Sequence, residues 1–395
     1  MKVTRRDLIA GAAGAVALAR TAGAQTPADP TKVRGTPPRA LGDRASTARV
    51  QRIVRGQVVS STPLHDLMGI ITPSDLHFER HHGGVPAIAP ETYSLLIHGM
   101  VERPTIFTLA DLKRFPSHSQ IHFLECSGNL GRTAGPETTP GMLAGLTSTS
   151  EWTGVRLSTL LGEVGVRSGA RWLLAEGADA AVLTRSVPIE KALDDALVAY
   201  GQNGEALRPE QGYPARLFLP GWEGNASVKW LRRLEVSDQP FMTREETSKY
   251  TEPFANGTSR QFSFRMDARS LITAPAFPNR LERGWVEITG IAWTGAGRIT
   301  RVDISTDGGA TWAAARLQEP VLPLAHTRFR HMWQWNGGEA VLMSRAVDET
   351  GYMQPTKAEL LAQRGPGTAT YHLNPITGWV VQPDGRVVYK EESWA

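Results

Sequence analysis

Alternating apolar and polar positions along the first two thirds of the chain predict short strands interleaved with helices. Four segments have the pattern or composition of strands, namely 93–98, 119–126, 171–175 and 215–219. Segment 155–164 has leucines at helical spacing, and segment 108–115 is typical of a short helix capped by Thr108. These mixed elements predict an α+β domain over residues 65–265.

The pattern changes after Pro275, where strands follow one another without helices between them. The alternating segments are 285–293, 299–305 and 340–347. Close spacing of such strands predicts an immunoglobulin-like β-sandwich over residues 266–390. Segment 305–312 has the form of an Asp-box, which sialidases carry in several copies. A single copy favours a tight turn packed on Trp312 over a glycosidase.

The first 24 residues have the composition of an export signal. Arg5 and Arg6 precede a weakly apolar run, and the Ala-Gly-Ala sequence at 22–24 offers a cleavage site. The paired arginines favour the twin-arginine route, which exports folded proteins, so we predict a periplasmic location. The apolar run 8–19 is shorter than the roughly 20 residues that span a bilayer, which argues against a membrane anchor. Residues 25–64 are predicted to form an extended N-terminal arm.

Charge and cysteine count exclude several functions. Removal of residues 1–24 takes away four basic residues and one acidic residue, and lowers the formal net charge from +4 to +1. No clustering of Lys and Arg remains that would indicate nucleic-acid binding. The single cysteine, Cys126, excludes a disulfide within the chain and a C-x-x-C-H haem site. We therefore predict no c-type haem in this chain.

Cys126 ends the predicted strand 119–126 within the sequence Glu-Cys-Ser-Gly-Asn. Gly128 allows the backbone to turn, so that the thiol can point into a cleft. A lone cysteine at a strand end is often a buried apolar residue. As a thiolate it would instead be a ligand for a soft metal. A cofactor-free thiol enzyme that uses Cys126 as nucleophile remains an alternative.

Three histidines cluster in segment 77–82. His77 and His81 are four residues apart, which is the spacing of zinc ligands on a helix. Pro73 and Gly83 leave room for barely one helical turn, however. Zinc binding, a solvated polar loop, and contact with an anion or cofactor are all open, and we favour the last.

Two cations lie in the next polar block. Arg216 opens the apolar segment 215–219, and Lys229 follows a loop that contains Gly221 and Gly224. An arginine fork and a lysine point charge, with hydroxyls and backbone N–H groups, suit a buried phosphate. Two surface charges beside a strand pair would give the same pattern.

Taken in this order, the three blocks resemble the sulfite oxidase family of molybdopterin enzymes over about residues 65–390. The resemblance implies a molybdenum–molybdopterin cofactor (Moco), with Cys126 as the protein ligand of the metal, and a dimerisation domain at the C-terminus. Implied cofactor contacts are Phe78, Arg80, His82, Asp179, Gln211, Arg216, Ser227 and Lys229. Implied catalytic residues are Arg80, His82, Arg132 and Tyr250.

The chain departs from the family pattern at two positions. The family has two arginines directly after its Cys-x-Gly-Asn sequence, whereas here Leu130, Gly131 and Arg132 follow. The arginine that would bind a small oxyanion therefore comes one position late. Gln211 occupies the position of a pterin-contacting histidine and retains a hydrogen-bonding group.

Three longer runs, 76–86, 200–214 and 242–250, resemble sulfane dehydrogenase molybdenum subunits of the SoxC type. This narrower resemblance implies oxidation of sulfane sulfur on a SoxY–SoxZ-like carrier during thiosulfate oxidation. It also implies electron transfer to a SoxD-like cytochrome c subunit, and a homodimer core within a heterotetramer. A sulfite dehydrogenase that uses cytochrome c is the nearest alternative, and a binding module built on the sandwich is the most distant.

Overall fold

The computed structural model of the protein describes residues 37–45, 47–130, 135–254, 256–365 and 371–391. Contacts divide the chain into two units, Met1–Arg49 and Val50–Ala395. The predicted export signal, residues 1–24, lies outside the described residues. None of the helices in the described part of the chain is long and apolar enough to cross a membrane.

Strands dominate the larger unit. The first strands are β1 (Ile53–Arg55), β2 (Val59–Ser61), β3 (Glu79–Arg80), β4 (Ser94–Gly99), β5 (Thr105–Thr108), β6 (His118–Glu125), β7 (Thr147–Arg156), β8 (Trp172–Gly177), β9 (Thr184–Pro188), β10 (Leu197–Gln202), β11 (Glu205–Ala206), β12 (Arg216–Phe218) and β13 (Leu231–Ser237). The later strands are β14 (Glu252–Pro253), β15 (Ser259–Arg260), β16 (Arg269–Ala274), β17 (Gly284–Trp293), β18 (Ile299–Ser305), β19 (Ala313–Ala314), β20 (Arg316–Gln318), β21 (Thr327–Trp335), β22 (Ala340–Asp348), β23 (Gly378–Val381) and β24 (Val387–Tyr389). The α-helices are α1 (Leu109–Leu112), α2 (Pro140–Ala144), α3 (Leu157–Val164), α4 (Ile189–Asp194) and α5 (Lys357–Arg364), with single turns at Ser74–Leu76, Pro209–Gln211 and Glu245–Lys249.

Two sheets form the first domain. One has the strand order β5-β4-β13-β8-β9 and the other β11-β10-β7-β6, with β12 paired to β10. Their pairs are antiparallel except that of β4 with β13. Both sheets and helices α1, α3 and α4 contribute to one apolar core, with Leu95, Leu160 and Val198 fully buried. Burial of each such side chain stabilises the fold by about 1.5–3 kcal/mol.

Most predicted elements of this domain are present with small shifts in their ends. Thr108 caps α1 as predicted, because its side chain accepts from Asp111 N and Asp111 accepts from Thr108 N. Helix α3 begins two residues later than the leucine spacing indicates. Val155 and Arg156 instead pair with Val198 and Leu197, which extends β7.

Part of the predicted arm, 25–64, belongs to the folded domain. Strands β1, β2 and β3 form a small antiparallel sheet, in which Val59 pairs with Arg80 and Ser60 with Glu79. Strand β2, at the end of the predicted arm, therefore forms backbone hydrogen bonds with β3, the strand that contains Arg80.

The sandwich domain contains two sheets, with the orders β16-β17-β21-β20 and β19-β18-β22-β23-β24. Their facing sides share an apolar core, in which Ile288, Phe329 and Leu342 are fully buried. The fold class predicted from the sequence is therefore confirmed. The Asp-box segment forms a tight turn, since Asp307 accepts from Thr311 N at 2.9 Å and Trp312 Nε1 donates to Gly309 O at 3.0 Å.

The two domains meet at Glu125, the last residue of β6. Glu125 is 1% exposed, and its carboxylate accepts from Arg269 Nη1 at 3.0 Å and from Trp293 Nε1 at 2.6 Å. Asn129 Nδ2 donates to the same carboxylate at 2.9 Å. Because Arg269 and Trp293 belong to the sandwich domain, that domain fixes the end of the strand that leads to Cys126.

Candidate active site

Cys126 directly follows β6, as the sequence predicts. Its backbone is held in a turn, since Cys126 N donates to Leu146 O at 2.9 Å and Asn129 N donates to Cys126 O at 2.9 Å. Burial raises the pKa of the Cys126 thiol, although Gly128 N–H and Arg80 act in the opposite direction. A thiol in this environment stays protonated until a metal ion binds and displaces the proton.

A pocket with an empty volume of about 630 Å³ opens beside Cys126. All predicted site residues within the described chain line it, namely Phe78, Arg80, His82, Cys126, Asp179, Gln211, Arg216, Ser227, Lys229 and Tyr250. Arg132 falls in segment 131–134, outside the described residues. Side chains separated by up to 172 positions in the sequence thus share one cavity.

Arg216 and Lys229 bring positive charge to the pocket, and neither makes a direct contact with a carboxylate of the described residues. Arg216 is 1% exposed and donates to Gln211 O at 3.0 Å and to Ser227 O at 2.8 Å. Lys229 Nζ donates to Glu210 O at 3.0 Å. Neither cation forms a salt bridge with a carboxylate of the described residues. Burial lowers the pKa of Arg216 to about 9, and burial, with Arg216 nearby, lowers the pKa of Lys229 well below its usual value.

Hydrogen bonds fix the shape of the pocket wall around these cations. Gln211 Nε2 donates to Phe78 O at 2.9 Å, which joins the histidine-rich segment to the Arg216 strand. Ser227 Oγ accepts from Leu219 N at 3.0 Å and lines the pocket. Asp179 Oδ1 accepts from Leu183 N at 3.1 Å in a turn.

His82 and Tyr250 form a neutral pair at the pocket. The Tyr250 hydroxyl lies 3.1 Å from His82 Nε2. Burial, together with the charge of Arg80, lowers the pKa of His82 to about 4. Burial raises the pKa of the Tyr250 hydroxyl above its usual range. Near neutral pH both groups are therefore uncharged, and one hydrogen bond joins the tyrosine hydroxyl to the imidazole.

Among the pocket residues that the sequence did not assign to the site, three are polar or aromatic: His81, Asn225 and Trp230. His81 Nδ1 lies 2.7 Å from Lys229 Nζ, while its Nε2 lies 2.7 Å from Glu79 Oε2. The Trp230 ring centre is 4.4 Å from Lys229 Nζ. Both residues are adjacent in sequence to a predicted site residue, and that adjacency is the signal that could have identified them.

His77, two positions before Glu79, does not act as a ligand with His81. The segment that contains the two histidines is not a helix. A single turn at Ser74–Leu76 precedes His77, and a strand begins at Glu79, so His77 and His81 do not share a helical face. No group of three or more His, Cys, Asp or Glu side chains in the described residues is placed to hold a metal ion. The zinc interpretation of this segment therefore has no structural support.

His77 is instead a buried neutral histidine, and it should make the protein sensitive to acid. It is 0% exposed, and burial lowers its pKa to about 3. Between pH 6.5 and 3 the unfolded chain then binds more protons than the folded chain, so the free energy of unfolding falls as pH falls. The free energy of unfolding should fall between pH 7 and pH 4.5 in both proteins. We expect the fall to be smaller in His77→Phe than in the parent protein, by about 1–3 kcal/mol.

Urea denaturation of the cofactor-free protein at the two pH values measures this difference. His331→Phe, at a half-exposed position of β21, is the control and should retain the parental pH dependence. An unchanged pH dependence in His77→Phe would show that His77 is not the acid-sensitive group.

The pocket fits an anionic cofactor that carries a soft metal. Arg216 and Lys229 require a negative charge, because a buried cation without a partner is strongly destabilising. Asn225 Oδ1 is buried without a hydrogen-bond partner among the described residues and is available to a donor group. The thiol of Cys126 supplies the sulfur ligand that such a metal prefers. A phosphate-bearing pterin with molybdenum meets all three requirements.

Two family models match the chain in the order that the fold suggests. The model described as oxidoreductase molybdopterin binding domain matches residues 82–245. The model described as Mo-co oxidoreductase dimerisation domain matches residues 260–378.

Sulfite oxidase of Gallus gallus is 30% identical over 86% of this chain and 78% of its own length. Nitrate reductase [NADH] of Ulva prolifera is 34% identical over 64% of this chain, but this chain spans only 33% of that enzyme. The chain therefore belongs to the sulfite oxidase family of molybdopterin enzymes, and the predicted cofactor is confirmed at the family level.

A solved structure narrows the resemblance. The sulfane dehydrogenase SoxCD of Paracoccus pantotrophus is similar to this chain with a TM-score of 0.84 and 44% identity. The match covers 93% of this chain and 100% of the SoxCD chain. The resemblance to sulfane dehydrogenase molybdenum subunits that the three sequence runs indicate is thereby confirmed.

Proposed function

We propose that this chain is the molybdenum subunit of a periplasmic sulfane dehydrogenase, which oxidises carrier-bound sulfane sulfur during thiosulfate oxidation. The observation that carries the proposal is the similarity to SoxCD along almost the whole chain at 44% identity. The position of Arg132 in the sequence adds to it, because this arginine comes one residue later than the sulfite-binding arginine of the family pattern.

Each site residue predicted from the sequence has a role in this proposal. Cys126 holds the metal, and the cofactor, when bound, supplies two-electron oxidation of sulfur. Arg216 and Lys229 bind its phosphate, and the wall formed by Phe78, Asp179, Gln211 and Ser227 orients the pterin. Arg80, with Arg132, stabilises negative charge that develops on the substrate. His82 and Tyr250 would orient water or substrate by hydrogen bonds.

Electrons leave to a separate protein in this proposal. The chain has one cysteine and cannot attach a c-type haem through C-x-x-C-H. A SoxD-like cytochrome c subunit would accept the electrons, and a SoxY–SoxZ-like carrier would present the sulfur. The dimerisation domain would join two copies as the core of a heterotetramer. The export signal at 1–24 would bring the folded subunit to the periplasm, where these partners act.

A sulfite dehydrogenase with cytochrome c is the second candidate, favoured by the similarity to sulfite oxidase of Gallus gallus. A cofactor-free thiol enzyme is a weaker candidate, because burial raises the pKa of Cys126 and so disfavours the reactive thiolate.

The ratio of catalytic efficiencies on the two sulfur substrates tests the proposal. With the same cytochrome acceptor, we expect kcat/KM for carrier-bound sulfane sulfur to exceed that for free sulfite by at least about tenfold. The loss of one charge-assisted contact to sulfite costs on the order of 1.5–3 kcal/mol, or about ten- to a hundredfold in affinity. Contacts between the carrier protein and this chain can offset that loss, whereas free sulfite has none.

Cys126→Ala serves as the control for cofactor-independent turnover. A ratio near one, or one that favours sulfite, would reject the sulfane proposal and support the sulfite dehydrogenase instead.

A further inference from the structure

A cluster of buried charged side chains lies next to the pocket but outside its lining. It contains Arg185, Glu223, Glu246 and His372, which are 0%, 1%, 0% and 5% exposed. Arg185 Nη1 lies 3.0 Å from Glu223 Oε1, and Arg185 Nε donates to Glu246 Oε1 at 3.0 Å. His372 Nε2 lies 3.1 Å from Glu223 Oε2. None of these four residues has a role in the proposed function as stated above.

The cluster contacts the neutral pair at the pocket through Arg185. The guanidinium carbon of Arg185 lies 5.1 Å from the centre of the Tyr250 ring, which is the geometry of a cation–π contact. The hydroxyl of the same ring contacts His82 at 3.1 Å. A displacement of Arg185 would therefore move Tyr250 relative to His82.

The cluster also contacts the turn that carries Cys126. His372 N donates to Ser127 O at 2.8 Å, and Ser127 directly follows Cys126. Asn225 Nδ2 donates both to Ser127 Oγ at 3.1 Å and to Glu223 Oε2 at 2.7 Å. His372 lies in the C-terminal part of the sandwich domain, so that domain contacts this turn directly through the His372 backbone, and through Glu223 and Asn225 from the His372 ring.

The charges of the cluster balance only when His372 is protonated. Arg185 carries one positive charge against the two carboxylates of Glu223 and Glu246. Burial acts against the charged imidazole, but Glu223 and Glu252 outweigh it and raise the pKa of His372. Other charged groups also face His372 across an open groove, namely Arg260, Arg265, Asp267 and Arg364.

We propose that His372 and Glu223 are positioning residues, whose ion pair fixes Arg185 beneath Tyr250 and joins the sandwich domain to the turn after Cys126. The reaction that this arrangement serves is taken from the proposed function, whereas the arrangement itself does not depend on it. When His372 loses its proton, Glu223 pairs with Arg185 more strongly. The guanidinium then shifts beneath the ring, and the Tyr250–His82 contact changes with it.

Titration of the full-length holoprotein, labelled with ¹⁵N-histidine and followed by NMR, tests the proposal without reference to activity. We expect His372 to titrate above pH 6.5 and the His82 ring signal to shift over the same pH range. Glu223→Gln, which conserves the shape of the side chain, should lower the pKa of His372 by at least about one unit. In His372→Gln the shift of His82 should be absent.

Glu235→Gln is the matched control, because Glu235 lies 3.9 Å from His98 and is not part of the cluster. It should change the His98 signal and leave that of His82 unaltered. The proposal is wrong if the pKa of His372 is the same in Glu223→Gln, or if His82 does not respond to the titration of His372. The titration of the parent protein decides the second point even if a variant fails to fold.

Turnover provides a second readout. Because the pKa of His372 is raised, the positioned state is present at low pH and is lost as pH rises through that pKa. The kcat/KM profile of the parent enzyme should therefore contain an alkaline limb that His372→Gln lacks, with kcat/KM about tenfold lower in the variant at pH 6. If the pH profiles of kcat/KM were the same in the parent enzyme and in His372→Gln, the His372–Glu223 pair would have only a structural role, and the proposal would be wrong. A parent enzyme that oxidises neither sulfur substrate would reject the proposed function, while the NMR titration would still decide this inference.

Discussion

Cys126→Ala is expected to lower turnover of any sulfur substrate by more than about a hundredfold, while the protein stays folded and retains its pterin. Even residues that only support a metal ligand change activity by roughly 10–100-fold when they are replaced, and Cys126 would be the ligand itself. The cost in packing is small, since only one sulfur atom of a half-buried side chain is removed, or about 1 kcal/mol. Turnover, molybdenum content and pterin content of the purified variant measure the effect.

Cys126→Ser distinguishes a ligand from a space-filling residue. A serine hydroxyl restores most of the volume but is a hard ligand with a much higher pKa than a thiol, so we expect it not to rescue activity. High turnover in Cys126→Ala with a normal molybdenum content would rule out Cys126 as the metal ligand.

Lys229→Met should lower cofactor content rather than turnover per bound molybdenum. The side chain of Lys229 lines the pocket and is held by Glu210 O and His81, so a phosphate bound there would lie against its charge. Loss of a charge-assisted hydrogen bond to phosphate weakens binding by about 1.5–3 kcal/mol, or ten- to a hundredfold. The pterin released on denaturation, divided by protein concentration, measures occupancy, and turnover divided by molybdenum measures the intact sites.

Lys229→Arg keeps the positive charge and serves as the matched control. Its cofactor occupancy should be closer to that of the parent protein.

Arg216→Lys should also lower cofactor occupancy, because one ammonium cannot reproduce the two directed bonds to Gln211 O and Ser227 O. Full occupancy with slow turnover in Lys229→Met would instead place Lys229 at the substrate.

Local patterns in the sequence were sufficient to predict much of the fold. The alternation before Cys126 identified β6 almost to its ends, and Thr108 identified the start of α1. The change of pattern after Pro275 identified the sandwich. These features depend on neighbours within a few positions, which a sequence shows directly.

The composition of the pocket could not be derived from such patterns. Phe78, Asp179 and Tyr250 come together only because the two sheets fold around one core, and the family resemblance placed them where residue chemistry alone did not. The pairing of Ser60 with Glu79 was missed for the same reason, since the partner strand lies 19 positions away. Arg185 and Glu223 gave no signal, because their importance depends on their burial and not on their type.

The contact between Glu125 and the sandwich domain also limits how this protein can evolve. Arg269 and Trp293 hold a carboxylate that lies one residue from Cys126. A chain cut before residue 266 would lose both groups, and the end of β6 before Cys126 would no longer be held by the sandwich domain. Recombination that exchanges the sandwich for an unrelated module would therefore disable the catalytic half, unless the new module supplied a cation and an indole at the same two points. We expect the two halves to be inherited together.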